Sequence, residues 1–246
     1  MLDAGARSRL AATRFADVQW LEEVDSTNRV ALERVRGGAP EGLVVVADHQ
    51  TAGRGRLGRT WEAPPGSSLL VSVLLRPAGD PHGAVIAAAL AACDACADVC
   101  GVTVGLKWPN DLVVDDRKLA GVLAETDGGT VVVGTGINVN WPQPMLASLG
   151  DATALNHLAG HDVDRAELLV RLLERLDARL SDGPAATLIE YRARCSTLGR
   201  TVRVDLGHET LAGKAVDLTP EGHLVVETSD GRRDIAAGDV VHVRPA

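Results

Sequence analysis

A glycine–arginine run, Gly53-Arg54-Gly55-Arg56-Leu57-Gly58-Arg59, follows an apolar stretch and is closed off by Pro64-Pro65-Gly66. That order constrains the fold more than any other feature of the chain. Gly53-x-Gly55-x-x-Gly58 has the spacing of a dinucleotide-binding loop, and Gly53 with Gly58-Arg59-Thr60 nearly fits a P-loop. Both motifs need a helix to start at the last glycine, because helix N-terminal amides hold the phosphates. Two prolines and a glycine so soon after Gly58 do not allow a substantial helix. A kinase-type loop fails as well, since it needs valine where Thr60 stands. The run is therefore a flexible loop between strands, with glycines that admit close backbone approach.

The surrounding pattern predicts an α+β chain. Leu43 to Ala47 and Ser68 to Leu75 read as buried strands, and His82 to Cys100 as a long Ala-rich helix. Val102 to Lys107, Asp111 to Val114, Lys118 to Glu125 and Thr130 to Gly134 read as strands, with a hairpin turn at Asp127-Gly128-Gly129. Leucines at helical spacing mark Asp164 to Leu180, and Pro184 to Arg194 fits a helix with an early proline. After Cys195 the texture becomes short and β-rich: Thr201 to Val204, Leu211 to Asp217, His223 to Glu227 and Val240 to Val243. These predict two domains, residues 1–195 and a small barrel over 196–246.

Arg54, Arg56 and Arg59 concentrate positive charge in a chain whose formal net charge is −8. Such a chain has no general attraction for nucleic acid, so the loop is a local anion trap suited to phosphate or carboxylate. The plain alternative is a solvated surface loop. No apolar core of signal-peptide length opens the chain, and Asp94 and Asp98 interrupt the apolar stretch from Ala84 to Cys100. A cytoplasmic protein without a membrane span is expected. Cys93, Cys96 and Cys100 share one helix face without metal-knuckle spacing, so they read as buried small hydrophobes.

Four further clusters carry polar groups. Lys107-Trp108-Pro109-Asn110-Asp111 is a Pro-stiffened turn, and Arg117-Lys118-Leu119-Ala120-Gly121 puts a lysine ahead of small residues. Gly134-Thr135-Gly136-Ile137-Asn138-Val139-Asn140 reads as a turn ending a strand, and Asp25-Ser26-Thr27-Asn28 as helix-capping residues.

Together and in this order, the loop and these clusters resemble the biotin–protein ligase family. The matching segments are Asp25 to Asn28, Gln50 to Trp61, Lys107 to Asp111, Arg117 to Glu125 and Gly134 to Asn138. The resemblance implies a mixed β-sheet flanked by helices, like the class II aminoacyl-tRNA synthetase catalytic domain, followed by a C-terminal SH3-like barrel. It implies a ligase that adenylates biotin with ATP, giving biotinyl-5′-AMP, and passes biotin to a lysine of a biotin carboxyl carrier domain.

The resemblance also assigns roles. Lys118 and Arg56 would be catalytic. Ser26, Thr27, Asn28, Gln50, Gly53, Arg54, Gly55, Arg56, Lys118 and Gly121 would bind biotin. Arg56, Arg59, Trp61, Lys107, Asn110, Asp111, Lys118 and Asn138 would serve the nucleotide. Juxtaposing a carboxylate and a polyphosphate requires cations, here the arginines and Lys118, with Mg²⁺ on the phosphates. Its protein ligands are not identifiable from sequence. An adenine platform is not evident: Ala152 stands where some relatives place an aromatic, and Trp141 is either a substitute or a core side chain. Repressor members carry a winged-helix domain ahead of the Asp-Ser-Thr-Asn motif. Only Met1 to Val24 precede it here, so ligase activity without DNA regulation is expected. The oligomeric state is left open. Two alternatives stand: a lipoate–protein ligase, and a non-catalytic biotin or nucleotide sensor.

Overall fold

The computed structural model describes residues 2–76, 81–146 and 150–243. Its centre is a seven-stranded sheet in the order β1-β2-β3-β7-β6-β5-β4. The strands are β1 (Val18–Val24), β2 (Val44–Gln50), β3 (Ser68–Leu75), β4 (Gly105–Lys107), β5 (Asp111–Val114), β6 (Arg117–Asp127) and β7 (Thr130–Asn138). β1 and β2 run parallel and every other neighbouring pair antiparallel.

Helices cover both faces, which explains the unbroken apolar run in β2. Val44 and Val46 pack under α3 (Pro81–Cys100), α6 (Arg165–Asp182) and α7 (Pro184–Arg194). Val45 faces the other way and meets Ala31 of α2 (Thr27–Arg36). A strand buried on both faces has no polar alternation to show. α3 is long and apolar enough by length and composition to cross a membrane, with mean hydropathy 1.7. It is instead a core helix. Ala84 to Cys93 are all buried, as are Ala95 and Cys96, and its alanines admit α6 closely, where Leu168, Leu169, Leu172, Leu173 and Leu176 are buried. All four cysteines are free; Cys93, Cys96 and Cys195 are buried as small hydrophobes while Cys100 is only half-buried, and burial pushes the Cys93 thiol up to about 12.

Several elements escaped the sequence reading. Short α1 (Ala4–Leu10) and strand β1 precede the first motif, and α4 (Gln143–Leu146) and α5 (Leu155–Ala159) are brief. The strand expected from Val102 shortens to β4. Residues 134–138, read as a turn, continue β7 in register with β3 and β6. Glycines at Gly134 and Gly136 weaken the local strand signal, yet flat contact on this face requires them. The hairpin at Gly128 and Gly129 is present, both at positive φ, with Asp127 paired to Thr130.

The chain then enters a second, five-stranded sheet of order β11-β10-β9-β8-β12. Its strands are β8 (Thr201–Asp205), β9 (Thr210–Leu218), β10 (Leu224–Thr228), β11 (Gly231–Ile235) and β12 (Asp239–His242). The exposed, charged β11 carried no apolar pattern to announce it. Val202, Val204 and Val226 join the same hydrophobic core as the seven-stranded sheet. The mixed sheet flanked by helices and the small β-rich second unit match the expected α+β architecture.

Candidate active site

The site lies on the α2 face of the sheet, and strand register builds its floor. Gly121 pairs with Gly136, which pairs with Leu70. In the next row of that face, Leu123 pairs with Gly134, which pairs with Ser72. Glycines leave room here that other side chains fill. A Cβ on Gly136 would sit 2.8 Å from the Trp61 indole, and one on Gly134 would sit 2.3 Å from Asn28 Oδ1. Trp61 therefore lies flat over Gly136 and Gly121, with Lys118 Nζ 5.7 Å from its ring centroid. The cleft left open encloses about 130 Å³.

One wall comes from the start of α2. Ser26 occupies the N-cap position but its side chain makes no capping bond. Gln50 caps instead: its Oε1 accepts from the Thr27 amide at 2.7 Å and the Thr27 hydroxyl at 3.0 Å. The capping expectation for Asp25 to Asn28 thus gives way to a wall function, and Ser26, Thr27 and Asn28 line the cleft. Ser72, invisible in an apolar strand, donates to Asn28 Oδ1 at 2.6 Å.

The glycine–arginine loop closes the front as a small hairpin. Arg54 bridges Thr60, the Gly55 amide donates to the Arg59 carbonyl, and Leu57 at the tip holds φ +55. Gly53 is needed at the neck because a Cβ there would meet the Trp61 carbonyl at 2.4 Å. The three arginines diverge. Arg54 pairs with Glu125 at 3.0 Å. Arg56 points inward to Asn110 Oδ1 at 3.2 Å and the Gly238 carbonyl at 3.4 Å. Burial pulls its guanidinium below the ordinary value, opposed by Asp111 and Asp239. Arg59 pairs with Asp239 of β12, and its hydrogen bonds hold that carboxyl below the usual range.

The Lys107–Asp111 turn forms the back. Its backbone amide at Trp108 donates to Thr197 Oγ1, and the buried Trp108 indole donates to the Gly222 carbonyl, both at 3.0 Å. Asn110 is locked on both sides, donating through Nδ2 to the Val122 carbonyl at 2.9 Å. Lys118 is fixed through its backbone, which exchanges hydrogen bonds with Asp151 and Thr153. A β-bulge between Leu112 and Val113 places it on the cleft face, where Nζ meets Asp111 Oδ1 at 2.6 Å.

Of the residues expected from sequence, Ser26, Thr27, Asn28, Gln50, Arg54, Gly55, Arg56, Arg59, Trp61, Lys107, Asn110, Asp111, Lys118 and Gly121 line this one cleft. Gly53 and Asn138 do not. Gly53 packs the loop neck, and Asn138 donates its amide to the Thr153 carbonyl at 3.0 Å. Trp141 is buried and donates to Ser68 Oγ, which settles it as a core side chain. The sequence reading missed Ser72, and Asp239 with Val240 from the second sheet, which belong to no local motif, and it gave Glu125, the end of the Arg117–Glu125 segment, no part as a loop partner.

The described residues hold no cluster of three or more His, Cys, Asp or Glu side chains suited to a metal. Asp111 and Asp239 each face the cleft but are committed to Lys118 and Arg59. The described residues thus offer no protein cage for Mg²⁺. What they offer is cations converging where two anions could meet.

The mixed sheet thus carries one cleft, with the glycine–arginine loop in front and β12 of the second sheet at the side. Residues 20–141 match the Biotin/lipoate A/B protein ligase family, and residues 197–243 match the Biotin protein ligase C terminal domain. The chain is 37% identical to the biotin–[acetyl-CoA-carboxylase] ligase of Mycobacterium tuberculosis, over 95% of this chain and 92% of that one. It is 32% identical to the bifunctional ligase/repressor BirA of Bacillus subtilis, covering 88% of this chain and 71% of that one. The structure of the Aquifex aeolicus biotin protein ligase in complex with biotin and ATP superposes with a TM-score of 0.81, at 32% identity, over 94% of this chain and 100% of that one. The chain belongs to the biotin protein ligase family.

Proposed function

We infer that the chain is an ATP-dependent, AMP-forming biotin protein ligase. A biotin carboxylate oxygen forms a bond to the α-phosphorus of ATP, the bond from that phosphorus to the β-phosphate bridge breaks, and pyrophosphate leaves. The amine of a carrier lysine then forms an amide with the biotinyl carbonyl, the bond to AMP breaks, and the amine proton passes to solvent. No covalent enzyme intermediate is required.

The observation that carries this reading is the pairing of Lys118 with Asp111 beside the inward-pointing Arg56. Each cation is held in place by a group from the chain itself that a substrate anion can replace. Lys118 would lie between the carboxylate and the α-phosphate, and Arg56 would touch both substrates, offsetting charge that grows in the transition state. Ser26, Thr27 and Gln50 would hydrogen-bond the polar rings of biotin over the Gly121 floor. Arg59, Trp61, Lys107 and Asn110 would serve the nucleotide. Asn138 supports the strand end rather than the ligand. Mg²⁺ enters as part of the nucleotide substrate, bound by phosphate oxygens, in keeping with its preference for few protein ligands.

The partner is a biotin carboxyl carrier domain of a biotin-dependent carboxylase. Four free cysteines suit a reducing cytoplasm, and the acidic net charge gives no basis for nucleic-acid binding. The catalytic unit ends near Cys195, where the chain bridges to Leu106 before the barrel begins.

The test is pyrophosphate release dependent on both biotin and ATP, with biotinyl-AMP identified by mass spectrometry. Turnover with lipoate or octanoate but not biotin would replace this reading with the lipoate ligase. Binding of biotin without pyrophosphate release would leave a sensor.

A further inference from the structure

Glu125 closes the Arg117–Glu125 segment with no role assigned to it there, yet it joins the loop to the ligand-facing wall. It stands on β6 two residues beyond Leu123 and so on the same face of the sheet. Its Oε1 pairs with Arg54 Nη1 at 3.0 Å. Its Oε2 accepts from Arg54 Nη2 at 3.0 Å and from Asn28 Nδ2 at 2.8 Å. Asn28 is only 4% exposed, and Gly134 leaves it no room to move toward the sheet. From Asn28 the polar chain runs through Ser72 to Thr27 and Gln50.

We propose that Glu125 is a positioning residue that sets the closed geometry of the glycine–arginine loop and couples it to the wall formed by Asn28, Thr27 and Gln50. This rests on the ligase reading above. Arg54 sits at the loop neck, bridging Thr60 just beyond the point where the Trp61 amide donates to the Gly53 carbonyl. Fixing Arg54 therefore fixes the approach of Arg56 and Trp61 to the cleft. A ligand that shifts the wall moves Asn28, and through Glu125 it moves the neck.

The requirement is for a carboxylate and not merely for its shape. All three groups facing Glu125 are donors: two guanidinium N–H groups and one amide N–H. An ionised carboxylate can accept all three. Glutamine has the same outline, but its amino group would face one of those donors.

Glu125→Gln in the full chain is the test. Amide hydrogen exchange of residues 53–61 without ligand should quicken about tenfold, the scale for losing a charge-assisted bond. Pre-formed biotinyl-AMP should escape about tenfold faster and the KM for biotin rise by about as much, with single-turnover kcat for adenylation within about threefold. Arg54 is 46% exposed on its side chain, so at 0.5 M salt wild type should approach the variant. If Glu125→Gln does not fold, Arg54→Gln must give the same loosening. Unchanged exchange and unchanged adenylate retention overturn the proposal, as does a drop in kcat and Tm with KM unmoved. Failure of the wild type to make biotinyl-AMP would instead overturn the ligase reading, while leaving the exchange comparison to judge Glu125.

Discussion

Nζ of Lys118 lies 2.6 Å from Oδ1 of Asp111, and a β-bulge brings the two to one face. Asp111 pairs with Gly121 on the cleft side. Regular alternation back from Gly121 would turn Lys118 toward the core. Leu112 pairs with Ala120 but Val113 pairs with Lys118, so Leu119 is the extra residue, and it is fully buried. Bulges re-aim side chains at active sites in this way. Lys118→Ala should lower single-turnover biotinyl-AMP formation by about two powers of ten or more, the cost of losing one preorganised charge-stabilising donor. Biotin affinity should change far less than the rate. Near-normal adenylation in the variant would remove Lys118 from the mechanism.

That bulge also marks a limit of sequence reading. The positions of Lys118 and Gly121 were legible as a motif, but their parity on a plain strand puts them on opposite faces. Only the register with β5 resolves this. Asp239 and Glu125 were illegible for a related reason. Each is an ordinary acidic residue locally, and its meaning comes from an arginine far away in the chain. The proline pair after Gly58 was decisive in the other direction: the loop is followed by no long helix, only the three-residue 3-10 turn Arg56–Gly58 within it. Continuous runs such as Val44 to Ala47 were also readable, because burial on both faces leaves a simple apolar signature.

The two floor glycines should respond differently to a methyl group. Gly134→Ala drives a Cβ against Asn28 Oδ1, whose amide is held by Ser72, Glu125 and the Leu123 carbonyl. Nothing there yields cheaply, so thermal stability should fall by on the order of 1–3 kcal/mol and the KM for biotin should rise. Gly136→Ala meets the Trp61 indole, which belongs to the loop and whose buried Nε1 has no hydrogen-bond partner among the described residues. Trp61 can move at little cost. Its variant should keep wild-type stability within about 1 kcal/mol while changing loop exchange and the KM for ATP. Equal destabilisation by both would show that the Trp61 seat is part of the core.

Trp108 ties the back of the cleft to the β9–β10 connection of the second sheet. It is 1% exposed and donates to the Gly222 carbonyl. Trp108→Phe removes that bond and part of the packing, and should cost about 1–3 kcal/mol by leaving a buried carbonyl unpaired. Since Lys107, Asn110 and Asp111 share the turn, adenylation should fall together with the melting temperature. Unaltered activity in a clearly destabilised variant would show that the turn holds its shape without the second sheet.

The same seam should be sensitive to pH through His242 of β12. Arg200 Nη1 lies 3.1 Å from His242 Nδ1, and arginine can only donate, so Nδ1 must be unprotonated. The proton then sits on Nε2, which donates to Thr197 Oγ1 at 3.1 Å, the same oxygen that receives the Trp108 amide. Burial lowers the His242 pKa, reinforced by the charges of Lys107 and Arg200 and opposed by Asp116. A histidine depressed in the fold binds its proton more readily when unfolded. Its contribution to stability is therefore complete above the unfolded value near 6.5, declines as pH falls through that value, and levels off below the folded pKa. Asp116 is depressed by Arg200, so its own contribution fades only below the ordinary carboxylate range, in a separate window. Melting temperature measured between pH 7.5 and 5 should fall in wild type. Glutamine can donate to Thr197 and accept from Arg200 without titrating, so His242→Gln should flatten that slope. An identical slope in the variant would assign the acid sensitivity to another group.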